Sequence, residues 1–286
     1  MTPGAPANAM TVDVEDYFHV AALAEVISRD DWSKMEFRAA ASTDRLLELF
    51  DRTSVKATFF VLGWVAQKAP ELVRRIHAAG HEVACHGLTH ELVYRQTPAV
   101  FRDETRQSKA MLEDLIGEPV DGYRAASYSI TRESLWALDI LCELGFRYDS
   151  SIFPIAHDRY GIPGASTRPG KIVSPNGSSI VEFPLSTKQL FGMRVPVAGG
   201  GYFRLLPYWF TRWALASVNE RDSMPFVFYL HPWEIDPEQP RFDASWFSRF
   251  RHYNNLDVCE ARLRSLLADF RFSTMRDVLR PHLEAA

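Results

Sequence analysis

The sequence predicts an α/β fold in which parallel strands alternate with helices and close, or nearly close, into a barrel. Three observations carry that prediction. Short apolar runs suited to buried strands are each followed by a stretch with apolar residues at helical spacing. About seven such strand–helix units follow one another, the rhythm of a barrel rather than of a short open sheet. Neither a GxGxxG nor a P-loop pattern is present, so the main nucleotide fingerprints are missing.

The elements follow in order. Residues 1–9 read as a disordered lead-in, and AMTVDV as the first strand. STDRLLELFDR is a helix with Ser42 or Thr43 as its N-cap and Leu46, Leu47 and Phe50 on its apolar face. KATFFVLGWV is the next strand, PELVRRIHAAG a helix closed by Gly80, and HEVACH a third strand. Thr97 and Pro98 open a helix as N-cap and first residue, with Gly117 just past its end. DGYRAA is a strand, Thr131 caps RESLWALDILCEL, Gly145 ends it, and FRYDSS is the next strand. From Ile155 to Gly201 the chain is rich in Gly, Pro and Ser, with one clear strand in SSIVEFP. LPYWFTRWALASV reads as a helix, PFVFYLHPW as a strand and LDVCEARLRSLLADF as a last helix. Residues 10–286 are expected to form a single domain, with 235–286 an extension packed on it.

Composition narrows the class. The 286 residues carry a formal charge of -4 with no block of like charge, which gives no footprint for nucleic acid or an anionic membrane. The three cysteines are odd in number and widely spaced, which argues against a disulfide framework and for a reducing compartment. MTPGAPANAM lacks the basic and apolar regions of a signal peptide, and no apolar run is long enough for a membrane helix. The expectation is a cytoplasmic protein.

In barrels of this kind chemistry sits where strands end. The first strand ends in DVED, bringing Asp13, Glu15 and Asp16 together, a costly grouping unless a cation compensates it. The third runs into HGLTH, where His86 and His90 could face one point if the backbone turned helical. His81, ahead of that strand, reads as a structural or surface histidine and Cys85 as a small core residue. Arg124 closes the fourth strand and His231 follows a wholly apolar one. Each has an ordinary explanation alone; together they mark a site.

The order TVDVED, ATFFVLGWVA, GHEVACHGLTH, YRAAS, YDSSIF and FYLHPWE resembles the polysaccharide deacetylases of the NodB-homology type, carbohydrate esterase family 4, from about Met10 to His231. GGGYFRLLPYW and FRHYNNLD resemble a subgroup from exosortase and exopolysaccharide loci with its own C-terminal extension. The resemblance implies a distorted (β/α)7 barrel that hydrolyses an N-acetyl group from N-acetylhexosamine units of a polysaccharide. It implies one divalent metal, most often zinc, with cobalt, nickel and manganese as alternatives. His86 and His90 match the histidine ligands, Asp13 the catalytic base, Arg124 the residue orienting that base, and His231 the general acid. Asp149 resembles the acid that tethers this histidine, Leu230 lines the acetyl pocket, and the Ser127 N–H faces the oxyanion.

DVED departs from the family's first motif of adjacent aspartates, so the metal carboxylate is Glu15, by strand parity with Asp13, or Asp16, if a turn brings it inward. In GGGYFR, Tyr202 and Arg204 are candidates for a sugar platform and hydrogen-bond donor, the alternative being a flexible loop before a core helix. Arg251, His252 and Tyr253 divide between cleft wall and packing. Two other functions remain open: a cyclic amide or imide hydrolase on a related barrel, and an inactive carbohydrate-binding protein.

Overall fold

Short apolar runs, most of them buried at every position, become the strands of one curled sheet in the computed structural model, which describes residues 6–157 and 159–285. In chain order the strands are β1 (Asn8–Val14), β2 (Thr58–Val61), β3 (Glu82–Cys85), β4 (Gly122–Tyr123), β5 (Tyr148–Asp149), β6 (Gly170–Val173) and β7 (Ser179–Glu182). They are followed by β8 (Thr187–Leu190), β9 (Met193–Pro196), β10 (Val227–Leu230) and β11 (Phe272–Ser273). The sheet runs β10-β1-β2-β3-β4-β5-β7-β6, parallel throughout except for β6, while β8 and β9 form a separate hairpin. This is the α/β barrel-type sheet that the alternation predicts.

Curling is visible in contacts that a flat sheet forbids. Arg124, just past β4, reaches Thr11 on β1, three strands away, at 2.8 Å, whereas three strand spacings span about 14 Å when flat. Ser186, beyond β7, accepts from the Val227 N–H at 2.9 Å and ties the far side of the sheet to β10. Alternation then sorts the side chains. Met10, Val12, Val14, Val83, Cys85, Phe228 and Leu230 pack outward against the helices, while Ala9, Phe60, Ala84, Val227 and Tyr229 fill the interior. Asp13, near the end of β1, and His86 and His231, one residue past β3 and β10, continue the interior rows.

Several boundaries differ from expectation. The first strand starts at Asn8, which is buried and bonded to the Arg271 carbonyl, because a late segment pairs with it. The predicted lead-in otherwise falls largely on residues 1–5, outside the described residues. The first long helix spans Ala39–Arg52, so Ser42 and Thr43 lie buried inside it rather than capping it. Its opening N–H groups are bonded instead by Asp16, from more than twenty residues upstream. The C-terminal segment is stitched into the sheet: Phe272 and Ser273 pair with Asn8 and Ala9, and Met275 N–H donates to Thr58 Oγ1 at 2.7 Å. No helix among the described residues is long and apolar enough to cross a membrane.

Candidate active site

The end of β1 separates its three acids into different roles. Asp13 points inward and forms a 2.6 Å ion pair with Arg124 Nη1, both side chains buried. Arg124 is fixed in turn by Thr11 Oγ1, the Ser150 carbonyl and Ser150 Oγ. The second Asp13 oxygen faces the Tyr128 hydroxyl at 3.4 Å. Glu15, two residues on, meets His90 Nε2 at 2.6 Å and accepts from Trp233 Nε1 at 3.3 Å. Asp16 turns the other way, accepting from the N–H groups of Tyr17, Arg38 and Ala39. It is therefore a helix cap and not a metal ligand, because its oxygens are already committed to backbone donors.

His86 and His90 converge without the helical turn expected of them. Gly87 and His90 both adopt left-handed backbone (φ 77° and 55°), and this folds the loop back on itself. His86 Nδ1 lies 2.8 Å from the Arg124 carbonyl. A carbonyl only accepts, so Nδ1 carries the proton and Nε2 keeps a lone pair for a ligand. Burial, with His90 beside it, lowers His86 to about 4. Burial alone would raise the Glu15 carboxyl, but His90, His231 and His86 outweigh it and hold Glu15 well below the ordinary range.

Ligand atoms of Glu15, His86 and His90 lie within 4.8 Å of one another. Glu15 Oε2 is buried with no hydrogen-bond donor of its own, although His90 Nε2 stands beside it. Two imidazoles and a carboxylate converging on an unshared buried oxygen fit a divalent cation, and the set matches that of open zinc sites. Glu15 is thus the carboxylate that the geometry selects.

His231 faces this group from β10, with Nε2 3.6 Å from Glu15 Oε1 and 4.0 Å from Asp13 Oδ2. Its Nδ1 lies 3.0 Å from Glu234 Oε2. Burial opposes its charge, but Glu15, Glu234 and Asp13 together raise it to about 9. Asp149 does not tether it. That carboxylate is taken up by Ser151 and neighbours Glu182 in a buried acid pair whose ionisation burial pushes upward. The carboxylate beside its Nδ1 is that of Glu234; the position of this acid three residues after the histidine, in HPWE, was the available signal.

The substrate-contact candidates divide. Ser127 is half-buried in left-handed backbone (φ 51°), in the loop between Arg124 and Tyr128. Tyr202 is half-buried, near enough to Tyr229 to act with burial in raising that phenol. Leu230 packs outward with Val12 and Phe228, because strand alternation gives the interior to Tyr229 and His231. Arg204 is buried and paired with Glu234 at 2.7 Å, so it supports the site from behind and is not a sugar donor. Of the neighbouring trio, Arg251 is exposed, His252 is buried against Trp233 and bonded to Gln239, and Tyr253 is half-buried, bonded to the Pro240 carbonyl. His81 is structural, accepting from the Ala57 N–H at 3.1 Å. Cys85 is a buried core thiol.

Residues 27–148 match the polysaccharide deacetylase model and residues 150–280 a domain of unknown function, DUF3473. A peptidoglycan deacetylase of Helicobacter pylori is 34% identical over 128 residues, 44% of this chain and 42% of that protein. A chitooligosaccharide deacetylase of Bradyrhizobium sp. is 34% identical over 99 residues, 35% of this chain and 43% of that protein. These matches span less than half the length of either relative. A Mycobacterium smegmatis structure described provisionally as a polysaccharide deacetylase superposes with TM-score 0.64 at 22% identity, covering 100% of this chain and 96% of that one. Puue allantoinase gives 0.65 at 16%, covering 99% and 92%. At these identities the likeness is one of fold. The chain carries a polysaccharide deacetylase domain of the NodB-homology type, joined to a DUF3473 domain.

Proposed function

We propose that this protein is a metal-dependent hydrolase removing N-acetyl groups from N-acetylhexosamine units of a bacterial polysaccharide or its precursor. The observation that carries the reading is the convergence of Glu15, His86 and His90 beside an ion-paired Asp13 and a facing His231. A divalent cation held by those three ligands, zinc by choice of donors, would polarise the amide carbonyl and acidify water at neutral pH. Asp13 takes the proton of the attacking water, with Arg124 paired to the carboxylate and aiming it. The Ser127 N–H serves the oxyanion, a role in which one donor contributes ~3–4 kcal/mol. His231 gives its Nε2 proton to the departing amine, which leaves poorly without one. Tyr202 flanks the sugar. All three cysteines are free, which supports a cytoplasmic setting.

The test is acetate release from short N-acetylglucosamine oligomers by protein stripped with chelator and reloaded with zinc or cobalt. Release restored by metal is the expected result. A folded protein that releases none with any metal refutes the reading, and ring opening of a cyclic amide in its place assigns the protein to the related hydrolases.

A further inference from the structure

We infer that Arg204 and Glu234 form a positioning pair for His231, so that the domain of unknown function supplies and orients the proton donor of the site. The inference rests on the deacetylase reading for its chemistry, and on geometry alone for its contacts. Glu234 is fully buried. Its Oε2 accepts from the His231 backbone N–H and lies 3.0 Å from Nδ1, while Oε1 accepts from Arg204 Nε at 2.7 Å. A carboxylate paired with a guanidinium has no hydrogen to give, so the Nδ1 proton belongs to the imidazole and Nε2 is the nitrogen presented to Asp13 and Glu15.

Arg204 is locked as firmly as its partner. Its remaining donors hold the carbonyls of Arg251, His252 and Asn254 at the end of the helix Trp246–Tyr253. This places His252 against one face of Trp233, centroids 4.5 Å apart, and His231 stacks on Trp233 at 5.1 Å. Arg204 thus fixes the hydrogen-bonded edge of His231 through Glu234 and its ring plane through Trp233. The helix that presents it, Gly200–Leu205, begins at the GGG motif, where a Cβ on Gly199 would stand 1.9 Å from the Tyr229 carbonyl oxygen. The glycines therefore bring this helix close to β10 and its catalytic histidine. In the step served, the Nε2–H bond breaks and the proton passes to the amide nitrogen as the C–N bond breaks; Glu234 stays ionised throughout.

A structural role and a positioning role separate by leaving group. Glu234→Gln and Arg204→Met should lower kcat on N-acetylglucosamine oligomers about 10²-fold, with KM and metal content kept. Hydrolysis of 4-nitrophenyl acetate by the same variants should fall by less than about tenfold, because its phenolate leaves without a proton. Equal loss on both substrates overturns the proposal. An independent readout is the 15N pattern of the His231 ring in metal-free protein, expected to report a protonated Nδ1 that Glu234→Gln alters; an unaltered pattern also overturns it. If Arg204→Met does not fold, the isosteric Glu234→Gln carries the test. A wild type without deacetylase activity refutes the deacetylase reading, and the ring pattern then decides the pair by itself.

Discussion

Replacing Asp16 by Asn is a sharp test of how the first acids divide their work. Asp16 Oδ2 accepts from Arg38 N–H at 2.7 Å and Ala39 N–H at 2.8 Å, and Oδ1 from Tyr17 N–H at 2.9 Å. An asparagine has the same shape but only one acceptor oxygen. Its better orientation keeps the two helix donors and turns an NH2 group against the Tyr17 N–H. One donor left unpaired in a buried place costs about 1–3 kcal/mol, and the other two bonds lose the strength that the charge lends. The expected destabilisation is about 3 kcal/mol, which for a chain of this length lowers Tm by roughly 5 °C. Metal content should stay at that of the wild type. Glu15→Gln should do the reverse, abolishing bound metal with little change in the Tm of the metal-free protein. The assay is thermal unfolding with and without saturating zinc, together with elemental analysis. Zinc should raise Tm in the wild type and in Asp16→Asn, by mass action, and not in Glu15→Gln. Loss of metal from Asp16→Asn with retention in Glu15→Gln would refute the assignment.

Two further outcomes follow from the geometry. His231 is raised from 6.5 to about 9, so the stability it contributes is complete below its unfolded value and is lost as pH rises through about 9; an NMR titration of metal-free protein with a midpoint below 6.5 would contradict this. Gly199→Ala puts a Cβ into the Tyr229 carbonyl at a φ of 138° that side chains avoid, and should cost about 2–4 kcal/mol by denaturant unfolding, with activity falling as Arg204 is displaced.

Strands β1–β5, β7 and β10, the helices Tyr208–Glu220 and Leu256–Asp269, and the grouping of Asp13, His86, His90, Arg124 and His231 were legible in the sequence, because each depends on local apolar period or on a polar residue ending an apolar run. The roles of Asp16, Asp149, Leu230 and Arg204 were not. Asp16 caps a helix far downstream, a bond between segments that no local pattern records. Asp149 and Glu182 meet only because β5 and β7 pair. Leu230 stood one residue from His231, and on a strand one residue means the opposite face. Arg204 looked like a surface donor after a loose glycine run. Its burial follows from the close approach that those glycines permit, which is a tertiary fact.

β1 carries Asp13 and leads directly into Glu15, the acids proposed as base and metal ligand, yet its neighbours β10 and β11 come from the last sixty or so of the described residues. On the ribosome, the first βα units would emerge with β1 as an open edge, its row of N–H and C=O groups unsatisfied until β10 and β11 have been made. Pairing across more than two hundred residues also carries a heavy loop-closure cost and slows folding. The cluster of Asp13, Glu15 and His231 is therefore assembled only once β10 is in place, and a nascent or truncated chain ending before Val227 should lack that ordered cluster and be prone to strand-edge association.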